Sequence, residues 1–198
     1  MTIDIDEAKV ERNELGLWLG WTLATAGGML LGFLPTILLV NVLSLGLAQI
    51  VVPVFAGTLI GLTQWIVLRR FLTATSDWIL AGGTSWAVGY MLGLFLIQNI
   101  PMVFAGIAGY LLFGAIVALV QWPLLRREIP HLLVWIIASS IGWAVGFWAS
   151  QAVLPLFFTG KLIAPAVSTT VIAVTSGLVA GAITGIALIW IVREPDKV

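Results

Sequence analysis

The chain contains no cysteine and a single histidine, His131. The first absence excludes a disulfide framework and any thiolate metal centre. The second excludes a metal site built from several histidines. Charge is also scarce: Asp, Glu, Lys and Arg make up 9% of the 198 residues, against about 25% in an ordinary soluble domain. Net charge is zero, so no nucleic-acid partner is expected. No HExxH, Walker A or G-x-S-x-G motif occurs, which removes the usual signatures of zinc hydrolysis, phosphate cradling and a serine nucleophile. What is abundant is apolar. The hydrophobic share is 61% and the mean hydropathy +1.12, so lipid rather than water must be the bulk solvent.

The few charges mark the topology. They fall at Asp4–Glu14, at Arg69, Arg70 and Asp77, at Arg126, Arg127 and Glu128, and at Arg193–Lys197, with Lys161 alone. Residues 15–68 and 78–125 are free of charge, and 129–192 is interrupted by Lys161 alone. A membrane-crossing helix needs roughly 20 apolar residues, so each stretch holds two spans and a turn. The expected spans are 15–38, 50–69, 77–98, 102–126, 132–154 and 168–192, with outer connections at 39–49 and 155–167. All Lys and Arg residues except Lys161 then lie on one side, which the positive-inside rule makes the cytoplasm. Residues 1–14 and 193–198 read as cytoplasmic tails around one transmembrane domain, 15–192, in a bacterial inner membrane. The polar N-terminus lacks the basic and apolar regions of a cleavable signal peptide.

The chain also resembles itself. "GLTQWIVLRR" (61–70) returns as "ALVQWPLLRR" (118–127), and "WILAGGTSWAVGY" (78–90) as "WIIASSIGWAVGF" (135–147), both at a shift of 57. The same shift brings Trp21, Ala24, Gly32 and Phe33 onto Trp78, Ala81, Gly89 and Tyr90. A shift of 67 brings Gly114 onto Gly181 and Arg126 onto Arg193, the extra residues falling around Lys161. The unit is one helical hairpin used three times, over about 12–69, 69–126 and 126–193. The expected fold class is all-α: a polytopic six-helix bundle of three tandem hairpins about a pseudo-threefold axis along the membrane normal.

Small residues recur at spacings of four on every predicted helix. Gly57 and Gly61, Gly89 and Gly93, Gly142 and Gly146, and Gly181 and Gly185 form ridges that let helix backbones approach closely. Gln64 and Gln121 continue two of these ridges and point into the bundle, as packing clamps or as contacts to a polar ligand; Leu188 replaces them in the third unit. Arg69, Arg70, Arg126 and Arg127 anchor helix ends at the cytoplasmic headgroups, where they meet anionic lipid and the helix dipoles. They also suit a partner subunit. Trp18, Trp21, Trp65, Trp78, Trp122, Trp135 and Trp190 read as an interfacial aromatic belt. Trp86 and Trp143 lie two turns, about 12 Å, further in. They are lipid-facing bulk, packing knobs or ring platforms for a pigment or quinone. His131 reads as a solvated residue at a helix start, and Pro123 as a kink that sets the fourth helix apart from the second.

The repeated Gln-Trp-x-x-Leu-Arg-Arg and Trp-Ala-Val-Gly segments resemble a group of bacterial multispanning proteins carrying Gln-Trp-Leu-x-Leu-Arg-Arg and Gly-Trp-x-x-Gly repeats. The resemblance covers the middle two-thirds of the chain and implies membrane residence, not an activity. Three two-helix repeats are also a property of the mitochondrial carriers, but no acid–base pair follows Pro35, Pro101 or Pro155, and carrier function is not transferred.

These readings converge on a non-catalytic integral membrane protein. The first expectation is a subunit or assembly scaffold of a larger membrane complex, in contact with another membrane protein. The alternatives are a passive permease or lipid-binding protein with Gln64, Gln121, Arg69 and Arg126 at its cytoplasmic mouth, and a pigment- or quinone-binding subunit. No other cofactor and no metal is expected.

Overall fold

The computed structural model describes residues 5–71, 75–99, 102–126, 131–157 and 165–193. They are helical almost throughout. The helices are α1 (Ile5–Phe33), α2 (Thr36–Val42), α3 (Leu45–Leu68), α4 (Asp77–Asn99), α5 (Met102–Leu125), α6 (Leu132–Val153) and α7 (Pro165–Arg193), with a 3-10 turn at Leu154–Phe157 after α6. Six of them, all but α2, are long and apolar enough to cross a membrane. The chain is therefore a multi-pass helical protein, as the charge-free stretches require.

Local sequence sets the helix ends. α1 stops at Phe33, before Pro35, because the residue preceding proline is pushed out of the α region. Thr36 opens α2 and its hydroxyl donates back to the Phe33 carbonyl at 2.5 Å. Ser44 stands extended before α3. The second span thus begins at Leu45 rather than at residue 50, and most of the connection expected at 39–49 is helix. Pro123 lies within α5 without ending it: α5 closes at Leu125 and α3 at Leu68, the same position on the repeat of 57. The difference expected there between the second and fourth spans does not extend to where they end.

The six long helices pack in chain order, each against the next, and α7 closes against α1. Glycine makes the seams tight. A Cβ on Gly57 would lie 2.5 Å from the Gly82 carbonyl oxygen, and one on Gly177 would lie 2.6 Å from the Ala26 Cα. Gly32 faces the Ala56 backbone, Gly114 that of Ser139, Gly146 that of Ser176, and Gly181 that of Thr22. Backbone-to-backbone approach of this kind replaces the hydrophobic drive that lipid cannot supply. The outward faces carry leucine, isoleucine and valine, with Trp148 70% exposed, as a surface solvated by lipid requires.

Candidate functional site

The ring has a filled half and a hollow half. In the half nearer the arginines, Trp21, Trp78 and Trp135, each 1% exposed, meet at the centre. Trp21 stands edge-on to both of the others with ring centroids 6.1 Å apart. Leu17, Leu68, Leu125, Leu188 and Ile191 pack around them. These three tryptophans are not the interfacial belt expected from the sequence. Of the tryptophans expected there, Trp18, Trp65, Trp122 and Trp190 are partly exposed. The signal was present: Trp21 shares a helical face with Thr25 and Gly28, Trp78 with Gly82 and Ser85, and Trp135 with Ser139 and Gly142. A residue on the small-residue face points inward whatever its own type.

Polar groups in this half hold one another. An indole N–H can only donate, so Trp78 Nε1 fixes the orientation of the Gln64 amide, donating to its Oε1 at 3.3 Å. Gln64 Nε2 then donates to Thr25 Oγ1 at 3.1 Å, and Thr25 Oγ1 to the Trp21 carbonyl at 2.9 Å. Trp21 Nε1 donates to Thr184 Oγ1 at 2.8 Å. Gln64 is accordingly a clamp joining α1, α3 and α4. Gln121 is equally buried, yet Trp135 Nε1, which stands to it as Trp78 does to Gln64, has no hydrogen-bond partner among the described residues. Neither glutamine lines the cavity of about 620 Å³ at the other end of the ring. Arg69, Arg70 and Arg126 are exposed, and the Arg69 guanidinium lies 4.7 Å over the Trp65 ring. Arg127 lies outside the described residues.

Trp86 and Trp143 form the next layer. Their rings meet at 5.2 Å and 87°, and Phe113 stands edge-on to both at 4.8 and 5.6 Å. Both are buried, joined to Met29, Ile60 and Val117 in one cluster. His131 stands at the start of α6 with its ring 5.5 Å from that of Trp190 and makes no side-chain cap. The described residues hold no cluster of His, Asp and Glu fit for a metal.

Above this floor, toward the end opposite the arginines, the ring encloses a cavity of about 620 Å³. Every long helix contributes to it. Trp86, Phe113, Phe33 and Phe147 form its base, Pro53 and Ile172 its sides, and Gln49, Gln151, Tyr90 and Tyr110 its polar groups. Tyr110 stacks on Phe147 at 4.9 Å and 27°. The space exists because side chains are missing from its wall. Cβ atoms on Gly93, Gly106 and Gly109 would meet nothing within 4 Å, and all three glycines line the cavity. Gly93 was expected in helix packing. It faces open space instead, whereas Gly57, Gly61, Gly89, Gly142, Gly146, Gly181 and Gly185 all meet a neighbouring helix. Pro53 adds an acceptor, since it has no N–H to give the Gln49 carbonyl.

Sequence reasoning passed over Gln49, Gln151, Tyr90 and Tyr110. Tyr90 carried a usable mark, because it replaces Phe33 and Phe147 on the repeat. In comparisons with known proteins, no family model matches the chain, and neither a curated protein nor a solved structure matches it.

Proposed function

We propose that the chain is a non-catalytic protein of the bacterial cytoplasmic membrane that holds an apolar membrane molecule in the vestibule between its helices. The cavity of about 620 Å³ carries this reading. It has the size of a small-molecule pocket and the expected composition, apolar and aromatic walls with a few polar groups. The lipid-binding alternative is therefore preferred over the subunit or scaffold reading. The exposed apolar side chains of the described helices are accounted for by lipid.

With Arg69, Arg70 and Arg126 at the cytoplasmic face, the vestibule opens outward. We read the bundle as three related hairpins about an approximate axis. Residues 57 apart in the chain support this: Trp21, Trp78 and Trp135 share one cluster, and Met29, Trp86 and Trp143 share the next. The two aromatic layers make the structure a cup rather than a pore.

The test is native mass spectrometry of protein released gently from its host membrane, beside a Gly93→Leu, Gly109→Leu variant that fills the cavity. A bound small mass on the wild type, lost from the folded variant, is the expected result. A wild type with no bound mass, or a mass the variant keeps, overturns the reading. A complex of larger defined mass favours the subunit reading instead.

A further inference from the structure

The vestibule has an electrostatic character that narrows its ligand. Among the described residues, no charged side chain lines it. The described cations Arg69, Arg70, Arg126 and Arg193 all lie at the opposite end of the ring. Lys161 belongs to the connection 158–164, outside the described residues. An anionic headgroup drawn into such a space would leave water without a counter-charge among the described residues, which apolar surroundings strongly disfavour.

The polar groups present are neutral and uncommitted. Among the described residues, the side chains of Gln49, Gln151, Tyr90 and Tyr110 make no hydrogen bond with the protein. Two amides and two phenols offer N–H and O–H donors. Their levels differ. Gln49 lies one turn inside the start of α3, and Tyr110 two turns inside the start of α5. Tyr90 lies one turn above Trp86 on α4. Donors therefore stand both near the mouth and partway down, above a base that is wholly aromatic.

Resting on the ligand reading above, we propose that the vestibule selects an uncharged chain-bearing lipid with a carbonyl or hydroxyl head, and rejects lipids with a phosphate head. The head accepts from Tyr90, Tyr110 and the glutamine amides, and the chain lies against Phe113, Phe147 and Ile172. At roughly 30 Å³ per water, the space corresponds to about 20 water molecules, enough for a head and part of one chain. Two kinds of membrane molecule share this chemistry: prenylquinones, with ring carbonyls, and diacylglycerols, with ester carbonyls and a free hydroxyl.

The experiment delipidates the purified protein in detergent and follows quenching of its tryptophan fluorescence as a short-chain prenylquinone is added. Dioctanoylglycerol and dioctanoyl-phosphatidylglycerol serve as competitors, and each lipid is also scored alone by native mass spectrometry. The expected result is that at least one neutral lipid binds tenfold or more tightly than phosphatidylglycerol. A Tyr90→Phe, Tyr110→Phe variant, with unchanged melting, should weaken that binding tenfold. Preference for the quinone or for the diacylglycerol identifies the source. Equal or tighter binding of phosphatidylglycerol, with the double variant unaffected, overturns the neutral-head proposal while leaving the vestibule reading intact. Failure of all three lipids to bind, in a protein that melts cooperatively, overturns both.

Discussion

In the half of the ring nearer the arginines, the described helices share a packed interior. Tryptophan from α1, α4 and α6 fills the centre, leucine and isoleucine surround it, and the Gln64 amide ties three helices together. In the other half the same helices leave a vestibule, and glycines face it with nothing opposite. Glycine thus has two uses here. Where two helices touch, as at Gly57, its missing side chain brings backbones together. Where they diverge, as at Gly93, Gly106 and Gly109, the same absence leaves volume. The residue type is shared, and the neighbour decides which effect it has.

Substitutions separate the two uses, and the largest effect is expected at the seam. Gly57→Leu forces a side chain into the Gly82 carbonyl and the base of Trp86. Neither group can give way cheaply, so the cost exceeds the about 1–3 kcal/mol typical of overpacking, and the variant is expected not to fold, seen as loss of its sharp elution profile in size-exclusion chromatography. Trp78→Ala comes next. Emptying a fully buried indole site costs about 3–5 kcal/mol when the surroundings cannot collapse, read as a large drop in melting temperature. A smaller effect divides the two glutamines. Gln64→Leu removes bonds to Trp78 and Thr25, and interhelical bonds of this kind contribute about 0.6–2 kcal/mol. Gln121→Leu is expected to cost less, since Trp135 donates nothing to it; equal melting shifts for the two would contradict the asymmetry. The smallest change belongs to Gly93→Ala in the hollow half. Nothing lies within 4 Å of the added methyl, and alanine gains up to about 1 kcal/mol of helix propensity over glycine. Melting should stay level or rise slightly, and a marked fall would mean that the outer half is packed.

The number of spans was readable from where charge is missing, because a bilayer forbids it over a known length. The filled half was partly readable too. The repeat placed Gln64 correctly inside the bundle, and the shared face of Trp21, Thr25 and Gly28 carried the tryptophan core. Those tryptophans were misread because their place near helix ends also fits an interfacial belt, and chain position does not state which way a ring points. The vestibule was not readable. Gly89 and Gly93 form the same four-residue pattern as Gly57 and Gly61, and whether a partner backbone stands opposite depends on how two helices splay.

The closure of α7 on α1 also sets an order of events in time. Trp18 donates to the Ala182 carbonyl, Trp21 to Thr184, and Arg193 pairs with Glu14. All three contacts join the beginning of the described chain to its end, so none can form until α7 has emerged. At roughly 5–20 residues per second of synthesis, α1 waits on the order of ten to thirty seconds beside lipid or an insertion factor. During that interval the indole N–H groups of Trp18 and Trp21 lack their final acceptors. A nascent chain stalled before α7 therefore lacks the acceptors of both indole donors at the open edge of α1.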